Sequence, residues 1–138
     1  MIPTVTKLLI QRQLTFEEGS LHLLGQDISM MPIHTFGRIQ KLLMNQELEN
    51  SIYLACKDSG YEWFSKMEGR FGVSINEMLD WGVKIMSLAG WGKLSIRKID
   101  KETSEIIYVL DNSSVANYFG KIGTEVDHLF RGYLAGSS

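Results

Sequence analysis

Apolar positions recur along the chain in two periods, and the switches between those periods divide it into elements. A short turn or helix over about Thr4 to Gln11 comes first. From Gln13 to Met31 the period is two: Leu14 and Phe16, Leu21 and Leu23, then Ile28 and Met30 alternate with polar partners, which predicts two or three short antiparallel strands. Glu17-Glu18-Gly19-Ser20 and Gly25-Gln26 supply the turns. After Pro32, whose missing N–H costs nothing in the first turn of a helix, the spacing becomes helical. Ile33, Phe36, Ile39, Leu42 and Leu43 form an apolar stripe that ends near Asn45 to Asn50. A second helix is predicted over about Glu49 to Arg70, with Ile52, Ala55, Cys56, Ser59 and Trp63 on one side. Its small middle residues, Ala55, Cys56, Ser59 and Gly60, would let another backbone approach.

Ser74-Ile75-Asn76-Glu77 has the spacing of a capping box and starts a third helix, with Met78, Trp81, Gly82, Ile85, Met86 and Leu88 as its apolar face and Gly90 as its stop. Trp91 to Ile99 and Glu105 to Leu110 read as strands joined by a polar turn. The second of them is apolar on both faces, which predicts a central or sandwiched position. Asp111 to Ser114 break that strand and cap a short helix through Tyr118. Gly120 to Gly123 form a glycine-flanked loop, and Thr124 caps a final helix, Val126 to Gly136. In that helix Val126, Leu129, Phe130, Tyr133 and Leu134 share a face. Gly132 and Gly136 lie one turn apart on its flank, and a glycine inside a helix costs about 1 kcal/mol relative to alanine. Something must therefore pack very close there. The organisation is α/β (α+β), with antiparallel sheet segments and helices packed over them, in a single domain covering residues 1–138.

Composition changes this picture little. The chain has 138 residues and a net charge of −2 with no basic run, whereas a phosphate-tracking surface needs a net basic face, so no nucleic-acid partner is expected. The amino-terminal apolar stretch is too short to span a membrane. The single cysteine, Cys56, excludes an internal disulfide, and a cytoplasmic location is the default. The histidines, His22, His34 and His128, show no metal-ligand spacing. Asp127 and His128 are adjacent, and neighbouring helix residues point about 100° apart, so the pair cannot converge on one metal unaided. Nucleophile, phosphate-loop and dinucleotide motifs are missing, and an enzyme is not supported, although a carboxylate site built from distant positions stays open. The supply of 7 Met, 3 Trp, 6 Phe and 5 Tyr suits either an ordinary core or a cavity lined by adaptable apolar side chains. Composition does not separate the two.

Four stretches in order, Q-L-T-F-E-E-G-S-L-H-L-L-G-Q-D-I-S-M-M-P, I-Y-L-A-C-K-D-S-G, G-W-G-K-L-S-I and V-D-H-L-F-R-G-Y-L-A-G, resemble archaeal members of the vinyl-4-reductase domain family. That family is related to the haem-NO-binding domain and to the small TRAPP tethering subunits of Golgi transport. The resemblance implies an antiparallel sheet covered by a layer of about four helices, a homodimer, and an internal apolar pocket for a small hydrocarbon-like molecule. With the aromatic and methionine supply, it assigns that pocket to Trp63, Met67, Trp81, Tyr118, Phe130 and Tyr133. No catalytic residue, metal ligand or cofactor is assigned beyond a bound hydrophobic small molecule. Two departures matter. Asp127-His128 stands where relatives often read Cys-His, and Ala55-Cys56 where they often read Ala-Gly. Relatives also commonly continue past the final Ala-Gly into a cysteine-containing segment; the sequence ends at Ser137-Ser138, that segment lacking or removed, and the metal inference does not carry over. A ligand-binding or sensory domain is the leading expectation. A protein-interaction or tethering module with a filled core is second, and a tetrapyrrole vinyl reductase or its accessory is third.

Overall fold

A computed structural model describes residue 6, residues 10–72 and residues 74–137, the side chain of residue 71 excepted. The short turn or helix expected over Thr4 to Gln11 falls largely outside these residues. The chain divides into two compact units, Met1–Pro32 and Ile33–Ser138. The fold is α+β: the described residues form two small antiparallel sheets and five helices.

In the first unit, β1 (Leu14–Glu17), β2 (Ser20–Leu23) and β3 (Gln26–Asp27) form an antiparallel meander in that order. Leu14 pairs with Leu23 and Phe16 with Leu21, as the alternation predicts. The second turn places Leu24 at φ 54° and Gly25 at φ 75°, the two positive angles that a tight hairpin with right-handed strand twist requires. Leu24 accepts this conformation while buried, its N–H donating to the Gln13 carbonyl at 2.6 Å.

The second unit contains α1 (Ile33–Met44), α2 (Glu49–Phe71), α3 (Ile75–Leu88), β4 (Lys93–Asp100), β5 (Glu105–Asp111), α4 (Ser114–Phe119) and α5 (His128–Ala135). The expected capping box is present. The Ser74 hydroxyl accepts from the Glu77 N–H, and the Glu77 carboxylate accepts from the Ser74 N–H at 3.0 Å. After Gly90 (φ 87°) ends the third helix's extension, Ser87 ties that helix to β4, its hydroxyl donating to the Val83 carbonyl at 2.9 Å and accepting from the Leu94 N–H at 3.0 Å. β4 and β5 pair in register from Lys93↔Asp111 to Asp100↔Glu105 with a bulge between Ile96 and Lys98. β5 is not central: among the described residues it pairs only with β4, and Ile107 on its outer face is exposed.

The closest packing in this unit joins α2 to α5. A Cβ on Gly132 would strike the Tyr53 carbonyl oxygen, one on Gly136 would strike the Tyr61 nitrogen and the Lys57 carbonyl oxygen, and one on Gly60 would strike the Tyr133 carbonyl oxygen. Three glycines thus serve one backbone-to-backbone contact, and the partner of the final helix is the second helix. The face that α2 turns inward is rotated from the expected one. Ile52, Cys56, Gly60, Trp63, Phe64 and Met67 are buried or half-buried, whereas Ala55 and Ser59 are exposed. The last helix also begins later than predicted. Asp127, not Thr124, is its N-cap residue, and the Asp127 carboxylate accepts instead from the Ser113 hydroxyl at 2.5 Å.

Candidate functional site

Aromatic side chains from α1, α2, α5 and the turn before β4 meet in a continuous run. Trp91 is fixed by its position between Gly90 and Gly92 and by its carbonyl, which accepts from the Ser114 N–H at 2.9 Å. Its indole stacks on Phe130 with ring centres 4.2 Å apart, and Phe130 stacks in turn on Phe36 at 6.2 Å. On the other side Tyr133 meets Trp91 edge-on at 5.3 Å and packs against both Trp63 and Phe64 at 6.3 and 6.2 Å. Such pairs contribute about 0.5–1.5 kcal/mol each beyond the area they bury. Phe130 and Tyr133 reach both ends of the run because they are three residues apart on one helical face. Burial alone pushes the Tyr133 phenol well above its ordinary range, so the hydroxyl is neutral. The Cys56 thiol is also pushed up by burial, and its Cβ lies 3.0 Å from where a Gly132 side chain would begin. It packs the helix contact.

The structure therefore brings Trp63, Phe130 and Tyr133 together. Met67 is fully buried one turn along α2 from Trp63. Trp81 is half-buried on α3. Tyr118 stands on α4, its ring seated in the notch left by Gly37 and edge-on to His34 at 5.6 Å.

Phe130 also forms a cluster with Val115 and Val126, packed by Phe36, Met44, Trp91 and Phe119. Met44 and Phe119 have another side as well. With Tyr118, Ile122, Lys41 and Glu49 they line a surface cleft of about 380 Å³ between α1, the start of α2, α4 and residues 122–124, a volume in the range of small-molecule sites. Tyr118 is the one residue of the expected pocket that lines it; Trp63, Met67, Trp81, Phe130 and Tyr133 line neither this cleft nor the shallower depression beside it.

One polar side chain sits inside this apolar region. Gln40 is 3% exposed. Its Nε2 donates to the Val126 carbonyl and approaches the Met44 sulfur at 3.8 Å. The Val126 carbonyl can only accept, so it fixes which way the amide faces. The Oε1 atom is then buried with no hydrogen-bond partner among the described residues, an arrangement that costs about 1–3 kcal/mol. Sequence reading missed this residue because the expected stripe on α1 ran through Ile39 and Leu42, which are exposed. The buried face is Ile33, Phe36, Gly37, Gln40 and Met44, and its spacing of three, four and seven residues was the available signal.

Among the described residues no group of three or more His, Cys, Asp or Glu side chains could hold a metal ion, and no helix is long and apolar enough to cross a membrane. No protein-family model and no curated protein matches the chain. Among solved structures, the chain is similar to the phenol-responsive sensory domain of the transcription activator PoxR, crystallised with phenol. The TM-score is 0.72 and the identity 20%, over 99% of this chain and 77% of that one. At that identity the likeness establishes the fold.

Proposed function

We propose that the chain is a non-enzymatic sensory domain of the vinyl-4-reductase-domain type that binds a small, largely apolar molecule and works as a homodimer. The observation that carries this reading is the cleft of about 380 Å³ whose walls, Met44 and Phe119, are also walls of the Val115, Val126 and Phe130 cluster. A ligand entering there meets Met44, Tyr118, Phe119 and Ile122 beside the polar Lys41, Asn45, Glu49 and Thr124, and the methionine and aromatic surfaces can repack around it. The fold shared with a domain that was crystallised with phenol supports the same reading. The arrangement offers a route from binding to output: Phe130 and Phe36 stack between the cleft wall and Trp91, so a ligand that shifts Met44 or Phe119 changes the packing of α1 against α5.

Differential scanning fluorimetry of the purified chain with a panel of small aromatic and aliphatic compounds tests the reading. A ligand at one hundred times its dissociation constant stabilises the native state by about 2.7 kcal/mol, a rise of several degrees in Tm for a domain of this size. No stabilisation by any compound, together with no co-purifying small molecule in native mass spectrometry, would sink it.

A second reading, an interaction or tethering module with a filled core, is favoured by one observation. The rings of Trp63, Phe64, Tyr133, Trp91 and Phe130 are linked by an unbroken series of contacts. A stoichiometric protein partner from source cells, with no ligand in the panel, would decide for it.

A further inference from the structure

The cleft has a polar side, and on the ligand-binding reading above, on which this inference rests, that side selects the ligand. Lys41 stands in the last turn of α1 and Glu49 in the first turn of α2. The turn between them, with Glu47 at φ 57°, brings both to the same space of about 380 Å³. A cation and an anion therefore line one small cleft. They do not pair: among the described residues neither side chain makes an ion pair or a hydrogen bond, with the other or with any third group. Elsewhere on the surface neighbouring opposite charges do close, Lys84 on Asp80 at 2.5 Å and Lys98 on Asp100 at 3.0 Å. Glu49 is half-buried, and a carboxylate partly removed from water without a partner is best compensated by a cation. The side chains of Asn45 and Thr124, the other polar residues of the lining, also make no hydrogen bond among the described residues. A few unspent polar groups beside an apolar wall are what orient a small molecule in a binding site.

We propose that the cleft takes a small zwitterion with an apolar body, the chemistry of a free apolar α-amino acid. Its carboxylate meets Lys41, its ammonium meets Glu49, and its apolar part lies on Met44, Tyr118 and Phe119. The Asn45 amide and the Thr124 hydroxyl can each donate to the carboxylate or accept from the ammonium. Such a ligand bridges two charges that the protein leaves apart. A molecule with a single charge finds a partner in one of them and like-charge repulsion in the other, which selects against it. An uncharged molecule uses neither.

Four compounds that share a phenyl ring on a short chain are the probes: L-phenylalanine carries both charges, hydrocinnamate only the carboxylate, phenethylamine only the ammonium, and ethylbenzene neither. Isothermal titration of the full chain at low ionic strength should rank L-phenylalanine first, by up to about fivefold over either singly charged compound, the upper worth of one exposed ion pair. Lys41→Met should remove its advantage over phenethylamine, and Glu49→Gln its advantage over hydrocinnamate. The wild-type ranking needs no variant, so it decides even if a substituted chain does not fold. Equal binding of all four would overturn the zwitterion while leaving the ligand reading intact; the two charges would then serve only the dipoles of their own helices. Tighter binding of a singly charged or uncharged compound would overturn it too, as would a preference for L-phenylalanine that survives both substitutions. Failure of all four probes and of the wider panel to bind would remove the ligand reading itself, and the zwitterion with it.

Discussion

Two glycines in the same helix, Gly60 and Gly69 of α2, should respond to alanine in opposite directions. Gly60 lies in the middle and Gly69 in the last turn of a 23-residue helix, where alanine is favoured over glycine by up to about 1 kcal/mol. A Cβ at Gly69 meets nothing within 4 Å, so Gly69→Ala should keep most of that gain, about 0.5–1 kcal/mol. A Cβ at Gly60 would strike the Tyr133 carbonyl oxygen and lie 3.1 Å from its Cα. Those are backbone atoms of α5, which cannot rotate aside as a side chain can. The helices must separate, and α5 carries Phe130 and Tyr133 of the aromatic run. Overpacking of this kind costs about 1–3 kcal/mol and sometimes more. With a backbone obstacle the upper end applies, and after subtracting the propensity gain Gly60→Ala should be less stable by about 2 kcal/mol. At about 4 °C per kcal/mol, the expected Tm shifts are a fall of about 8 °C for Gly60→Ala and a rise of about 3 °C for Gly69→Ala. Urea titration with an unchanged m-value would confirm that the native state is what changed. If Gly60→Ala proved as stable as the parent chain, the close α2–α5 contact would be wrong.

Three further outcomes are expected. Phe130→Ala should cost about 3–5 kcal/mol, because the ring is 4% exposed and joins Trp91 to Phe36; chemical denaturation checks it, and a cost under 1 kcal/mol would mean that the ring run is not a core element. Ser74→Ala removes a serine cap, a loss of about 1 kcal/mol. Hydrogen bonds from Ser74, its hydroxyl first and its N–H second, hold the Glu77 carboxyl below its usual range. A depressed carboxylate contributes above its unfolded pKa, near 4.3, and loses that contribution as pH falls through the folded value. The stability gap between wild type and Glu77→Gln should therefore narrow below about pH 4 and be constant from pH 6 to 8; a gap independent of pH across the acid range would contradict the cap geometry.

Much of this was legible in the sequence, and the reasons are local. Period-two alternation marked β1 and β2, and the serine and glutamate three residues apart marked the start of α3, since strand faces and caps depend on near neighbours. Gly132 and Gly136 announced a close approach, and Gly60 with Cys56 announced the surface that receives it. What the pattern missed depends on which face a helix turns inward. On α1 the apolar count favoured Ile39 and Leu42, yet Gly37 and Gln40 are buried because one receives the Tyr118 ring and the other holds the Val126 carbonyl. Both partners lie about eighty residues further along the chain, beyond the reach of a periodicity argument. Of the six residues assigned to a pocket, Trp63, Phe130 and Tyr133 fall in one aromatic run that Phe36, Phe64 and Trp91 complete through contacts between distant elements. Asp127 carried no metal reading in the sequence; in the structure its carboxylate accepts a hydrogen bond from Ser113.

Backbone amide NMR of the isotope-labelled chain, titrated with phenol as a small aromatic probe, tests the central claim most directly. The account predicts saturable shifts concentrated at positions 40–45 of α1 and the turn after it, and at 118–124 around the end of α4, with a smaller response at Phe130. Shifts that never saturate, or that map to the exposed side of α1 at Ile39 and Leu42 and leave Met44, Tyr118 and Phe119 unmoved, would contradict it.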